Sequence, residues 1–109
     1  MIEKVLGKIT SAYYGLGGYQ DVQLGLSVSL EGEGGGTSDF SGFWADKPGK
    51  HAKWTVEDQI KYHGEVALMI VELLHQAKVD RVEKLVGKPV EITWDNHMLK
   101  SWRILTEVL

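Results

Sequence analysis

The chain has 109 residues, of which 43% are hydrophobic and 25% are charged, and this balance is typical of one globular domain, predicted to span residues 1–109. A formal net charge of −3 argues against a surface built to follow nucleic-acid phosphates. The absence of cysteine excludes a disulfide framework and a thiolate metal site.

Three strands are predicted in the first half of the chain. Residues Val5 to Tyr14 are rich in β-branched and aromatic types, and the glycines within Gly15 to Gly18 are expected to end this strand. From Val22 to Leu30, leucine and valine alternate with small polar residues. This alternation predicts a strand with a buried face and a small outward face that a backbone or ligand could approach closely. A flexible hairpin loop, Glu31 to Gly36, leads to a third strand, Thr37 to Ala45.

One long helix is predicted from Thr55 to Lys78. Thr55 is an N-cap candidate, and the acidic Glu57 and Asp58 suit the positive end of the helix dipole. On a helical wheel the apolar residues span roughly 220°, about twice the stripe that ordinarily faces a core. Since a small sheet cannot cover so wide an arc, we expect a second copy of the chain to cover the rest. The predicted subunit contact consists of Gly64, Val66, Leu68, Ile70, Val71 and Leu73.

The chain is predicted to end in two strands, after a short helical turn at Arg81 to Leu85. The strands are Val90 to Trp94 and Leu99 to Val108, joined by a hairpin turn at Asp95 to Met98. The element order β-β-β-α-β-β predicts an α+β fold, an antiparallel sheet of about five strands with one long helix packed across it. The pattern leaves the strand order open.

The histidines do not form a metal-binding pattern. His63 and His75 are twelve residues apart on the predicted helix, roughly 18 Å by the rise of a helix. His51 lies close to Lys50 and Lys53, whose charges would repel a cation. We interpret His63, which lies within the apolar arc, as a packed and hydrogen-bonded side chain. The sequence therefore predicts no metal site and no cofactor.

No catalytic or phosphate-binding motif is recognisable. The segment Gly15 to Gly18 does not open a helix, and Glu31 to Gly36 carries two glutamates that would repel phosphate. Four residues near loop ends could supply acid–base chemistry if they converged, but their spacing does not require it: Asp21, Asp39, His51 and Asp58. We therefore expect that the protein is not an enzyme, and a small enzyme using such loop residues is the weakest alternative.

Aromatic residues are concentrated in the first half of the chain, near its loops. Exposed aromatic side chains can stack nucleic-acid bases or anchor protein interfaces. A host protein or a small nucleotide-like ligand would suit such a surface. The alternative function is that of a single-stranded nucleic-acid or nucleotide-binding module. The acidic total weighs against nucleic acid. The predicted recognition residues are Tyr19, Asp21, Phe43, Trp44 and Trp54.

No signal peptide or membrane span is expected. No long apolar run follows Met1, and the longest such run, Val66 to Val71, is far shorter than the ~20 residues that a membrane span needs. A cytoplasmic protein is the expectation.

Three segments resemble a family of small phage and prophage proteins: Gly17 to Asp21 (GGYQD), Asp39 to Trp44 (DFSGFW) and Leu99 to Leu109 (LKSWRILTEVL). The resemblance extends over most of the chain. Family members carry an aromatic residue where this chain has Gly34-Gly35-Gly36, so no role of that loop is carried over. The resemblance implies a setting, the cytoplasm of a bacterial host. It favours a stoichiometric binding protein, such as an inhibitor of, or a sponge against, a host defence system, over a turnover enzyme. Together with the subunit contact predicted from the helix, the expectation is a non-catalytic binding protein that acts as a homo-oligomer.

Overall fold

The computed structural model describes residues 1–109 and confirms the α+β class, with the predicted element order β-β-β-α-β-β. The strands are β1 (Ile2–Gly17), β2 (Gln23–Gly32), β3 (Gly35–Trp44), β4 (Pro89–Asp95) and β5 (Met98–Ile104), and the helix is α1 (Val56–Ala77). Short 3-10 turns occupy Tyr19–Asp21, Val82–Leu85 and Thr106–Val108. The last of these turns replaces the end of the strand that the sequence extends to Val108.

The five strands form one antiparallel sheet in the order β3-β2-β1-β4-β5. The central strand β1 has two antiparallel neighbours: its residues 2–8 pair with β4, and its residues 7–17 pair with β2, with which it forms a hairpin. The sheet curls until its two edge strands approach each other: the Trp102 indole Nε1 on β5 donates a hydrogen bond of 2.8 Å to Asp39 Oδ2 on β3. The core therefore lies on the concave face.

β1 is longer than the sequence predicts. Gly15 and Gly17 still pair with β2, and the turn begins only at Gly18, whose φ is 70°. The ring of Phe40 on β3 leaves no room for a side chain at Gly17 or Gly18, because a Cβ at either position would lie 2.9 Å from it. The small outward face of β2, which the sequence leaves open to a ligand or a backbone, is thus partly covered by the chain itself.

Both of the other hairpins close through two-residue turns. β2 and β3 are joined by Glu33 and Gly34, and Gly34 has a φ of 93°. β4 and β5 are joined by Asn96 and His97, with φ values of 50° and 68° that are typical of a type I′ turn. The flexible loop predicted at Glu31 to Gly36 is therefore mostly strand.

α1 begins and ends where the sequence predicts. The Asp58 amide donates to Thr55 Oγ1 at 3.1 Å, and the Thr55 amide donates to Asp58 Oδ2 at 2.9 Å, which together form a capping box. Lys78 ends the helix in the left-handed conformation, with a φ of 58°. Gln59 ties the first turn to the end of β3, because its Nε2 donates to the Trp44 carbonyl oxygen at 2.9 Å.

The most deeply buried side chains come from the sheet and from the 3-10 turn Val82–Leu85, which packs against β1. They are Ile9, Leu26, Val28, Leu30, Leu85, Val90, Ile92 and Ile104. Of the residues of α1, only Ala77 belongs to the fully buried apolar core. The helix thus packs against the edge of the core, and much of its own apolar surface stays exposed.

Candidate functional site

Four rings pack together where the start of α1 meets the end of β3. The Phe43 ring centroid lies 5.2 Å from that of Trp54, 4.8 Å from that of Tyr62 and 6.1 Å from that of His63. His63 Nε2 is 2.9 Å from the Trp44 carbonyl oxygen. Since a carbonyl oxygen only accepts, this nitrogen carries the proton. The interpretation of His63 as a packed, hydrogen-bonded side chain is confirmed.

The five predicted recognition residues lie at one end of the sheet but on different faces. Phe43 and Trp54 are in contact on the helix side, whereas the side chain of Trp44, the next residue along β3, points to the opposite face. Tyr19 and Asp21 lie in the turn between β1 and β2, and Tyr19 is 68% exposed. A backbone hydrogen bond of 3.0 Å joins the end of this turn to the residue after β3. We call these five residues the aromatic end.

Further apolar side chains remain exposed beside the aromatic end. Leu16 on β1 and Leu24 on β2 lie in register with Phe43 on the helix-facing side of the sheet. Leu16 is 58% exposed and Tyr62 is 41% exposed. An exposed apolar surface of this kind is characteristic of a binding surface.

The predicted subunit contact divides between two sides of α1. Ile70 and Leu73 are partly buried and pack against the core of their own chain, so a second copy would reach only part of their surfaces. Val66 is half-buried. Leu68 and Val71 lie in water, with 71% and 47% of their surfaces exposed.

Ile60, Gly64, Leu68 and Val71 form one line along α1, which we call the exposed stripe. Their spacing of four, four and three residues places them on a single side of the helix. Ile60 is 67% exposed, and a Cβ added at Gly64 would have no neighbour within 4 Å. The exposed stripe is the part of the apolar arc that the sheet does not cover.

A crevice of about 360 Å³ lies between α1 and the two edge strands. Met69 and Leu73 of α1 line one part of it, and the hydrogen-bonded pair of Asp39 and Trp102 lines another. Sequence reasoning missed this site, because Asp39 and Trp102 are 63 residues apart and no local pattern joins them. The sequence analysis names Asp39 only as a possible acid–base residue, and nothing in the sequence indicates that Trp102 is its partner.

The groups with displaced pKa values form exposed ion pairs. The Arg103 guanidinium donates to Glu107 at 2.9 and 3.0 Å and lowers the pKa of that carboxyl from 4.5 to about 2. Arg103 also donates to Glu91 at 3.1 Å. Lys84 lowers the pKa of Asp80 through a contact of 3.0 Å. Because all of these partners are close along the chain or across β4 and β5, the pairs stabilise local structure.

Nowhere in the structure do three histidine, aspartate or glutamate side chains converge as a metal ion would need. None of its helices has both the length and the apolar content required to cross a membrane.

Comparison of the chain with protein-family models, with curated proteins and with solved structures finds no match. The structure by itself defines the class, an α+β protein in which one helix packs against a curled five-stranded antiparallel sheet. The features that bear on function are the aromatic end, the exposed stripe and the crevice.

Proposed function

We propose that this chain is a non-catalytic binding protein, encoded by a phage or prophage, that acts as a homo-oligomer against a bacterial host defence system. As an inhibitor or a sponge it would hold its target stoichiometrically. The main support for this proposal is the exposed stripe, because a folded single chain leaves large apolar side chains in water there.

The exposed stripe suits a contact with a second copy of the chain. Ile60, Leu68 and Val71 keep 67%, 71% and 47% of their surfaces exposed. Complete burial of a large aliphatic side chain contributes about 1.5–3 kcal/mol, so covering each of these would contribute about 1–2 kcal/mol. With three such residues on each copy, the gain is comparable to the cost of association, about 4–15 kcal/mol. Gly64 would let the two helices approach closely.

The aromatic end suits recognition of a target protein. Tyr19 is exposed, and tyrosine and tryptophan are the side chains that most often dominate binding energy at interfaces. The packed rings of Phe43, Trp54 and Tyr62 hold the helix side of this end in a fixed arrangement. A rigid surface loses little conformational entropy when a partner binds.

Light scattering on the purified protein tests the subunit contact. We expect a wild-type mass above the 12.2 kDa of a single chain, and a return to that mass in Leu68→Glu with an unchanged far-UV circular dichroism spectrum. Lys8→Glu, at an exposed position of β1 away from α1, is the control and should keep the wild-type mass. A monomeric wild type, or a Leu68→Glu variant of wild-type mass, would contradict the homo-oligomer.

Capture from a bacterial host lysate, followed by mass spectrometry, tests the aromatic end. The wild-type protein should retain a target that Tyr19→Ala loses. Met98→Ala is the control, because Met98 is 74% exposed and lies in the β4–β5 hairpin beside the opposite end of β1. A target bound equally by the wild type and by Tyr19→Ala would remove the aromatic end from the proposal.

A further inference from the structure

The crevice between α1 and the edge strands has the size and lining of a small-molecule site. Its volume of about 360 Å³ lies within the range of roughly 300–1,000 Å³ that such sites occupy. Leu26 and Val28 of β2 and Met69 and Leu73 of α1 give it apolar walls. Small-molecule sites usually combine such walls with a few polar groups that orient the ligand.

One carboxylate oxygen of Asp39 is free to meet a ligand. Oδ2 accepts the hydrogen bond from Trp102 Nε1, which fixes the orientation of the carboxylate. Oδ1 has no partner within the protein. Since no buried side-chain oxygen or nitrogen in the structure lacks a partner, Oδ1 is open to solvent. An ionised carboxylate only accepts hydrogen bonds, so a ligand at Oδ1 has to present a donor.

Three further polar residues line the crevice: Ser41, Lys100 and Ser101. Lys100 of β5 lines the crevice and takes part in none of the ion pairs of the protein. The crevice therefore offers a negative acceptor and a positive charge, set among apolar walls that strengthen polar contacts.

We infer that the crevice binds a nucleoside monophosphate whose base carries an exocyclic amino group. The amino group donates to Asp39 Oδ1, the flat base lies against Trp102 and Met69, and the phosphate pairs with Lys100. A purely aliphatic ligand would leave Asp39 without a donor, and a free amino acid would leave much of the volume to water. This inference goes beyond the proposed function, because it uses neither the aromatic end nor the exposed stripe.

Calorimetric titration with AMP, GMP, CMP and UMP tests the inference. The three nucleotides with amino groups should bind at least tenfold more tightly than UMP. The reason is that the only N–H of uracil lies between two carbonyl oxygens, which the carboxylate of Asp39 repels. The indole N–H resonance of Trp102 should shift in the same titrations, because Asp39 would then bond to both the indole and the ligand.

Two variants separate the polar contacts. Asp39→Asn keeps an acceptor for Trp102 but places an amide N–H where Oδ1 was, so affinity for AMP, GMP and CMP should fall at least tenfold and UMP should become the preferred nucleotide. Lys100→Gln should weaken the binding of the monophosphates and leave the affinity for the corresponding nucleosides unchanged. Lys4→Gln, on a residue of β1 that does not line the crevice, is the matched control and should alter neither.

Absence of binding by all four nucleotides at millimolar concentration would overturn the inference, as would an unchanged order of affinities in Asp39→Asn. Lys100 is exposed, so Lys100→Gln should fold normally and remains informative if Asp39→Asn does not fold. Leu68→Glu should bind nucleotides as the wild type does. Failure of nucleotide binding is therefore distinguishable from failure of the homo-oligomer.

Discussion

Replacing Gly64 by alanine separates two reasons for a glycine in the middle of α1. Glycine in a helix interior costs about 1 kcal/mol relative to alanine, and the added methyl group would have no neighbour within 4 Å in the single chain. In the monomeric Leu68→Glu background, Gly64→Ala should therefore raise the free energy of unfolding by about 1 kcal/mol. For a domain of about this size the midpoint should rise by roughly 4–8 °C. Thermal denaturation followed by circular dichroism measures both values.

In the wild-type background the same substitution reports on the subunit contact. If Gly64 lets two helices approach closely, Gly64→Ala should lower the oligomer mass while the chain itself becomes more stable. Ala67→Gly in the Leu68→Glu background, at an exposed position on the same helix, is the inverse control and should cost about 1 kcal/mol. A destabilised Gly64→Ala monomer would refute the reasoning, because it would mean that the space around Gly64 is occupied.

Two further predictions concern local contacts. Thr55→Ala removes the Oγ1 acceptor of the capping box and should lower the free energy of unfolding in urea by about 1 kcal/mol, whereas Thr55→Ser keeps a hydroxyl group and should retain the wild-type stability. An unchanged unfolding midpoint in Thr55→Ala would show that the cap does not stabilise α1. In an NMR titration the Glu107 carboxyl, whose pKa Arg103 lowers from 4.5 to about 2, should stay ionised at pH 3, and Arg103→Gln should return its pKa toward 4.5. The pair therefore stabilises the fold above about pH 4.5 and loses that effect as the pH falls toward 2, and a Glu107 midpoint near 4.5 in the wild type would contradict it.

The elements that the sequence predicts well depend on neighbouring residues. The cap of α1 needs only Thr55 and Asp58, three residues apart, and the turn at Asn96 and His97 follows from two short strands around it. Glycine is harder to interpret, because Gly18 ends β1 whereas Gly17 lies within it. The ring that covers both positions belongs to β3, which no local pattern reveals.

The helical wheel gives the width of the apolar arc but not the part of it that faces the sheet. The rotation of α1 about its own axis is set by Gln59 and His63, which both donate to the carbonyl oxygen of Trp44 at the end of β3. These contacts direct Ile70 toward the core and leave Leu68 in water. The crevice could not be predicted from the sequence for a similar reason, since its residues meet only because the sheet curls.

The pairing of β1 with both β2 and β4 determines when the chain can finish folding during synthesis. Residues 7–17 can pair with β2 once residue 32 has left the ribosome, but residues 2–8 meet β4 only after residue 95 has emerged. At about 5–20 residues per second this interval lasts on the order of seconds. Throughout that time the first half of β1 has an unsatisfied backbone edge, with Ile2 and Leu6 beside it. This edge is therefore open to a ribosome-associated chaperone until β4 emerges, and a translational pause ahead of β4 would lengthen its exposure.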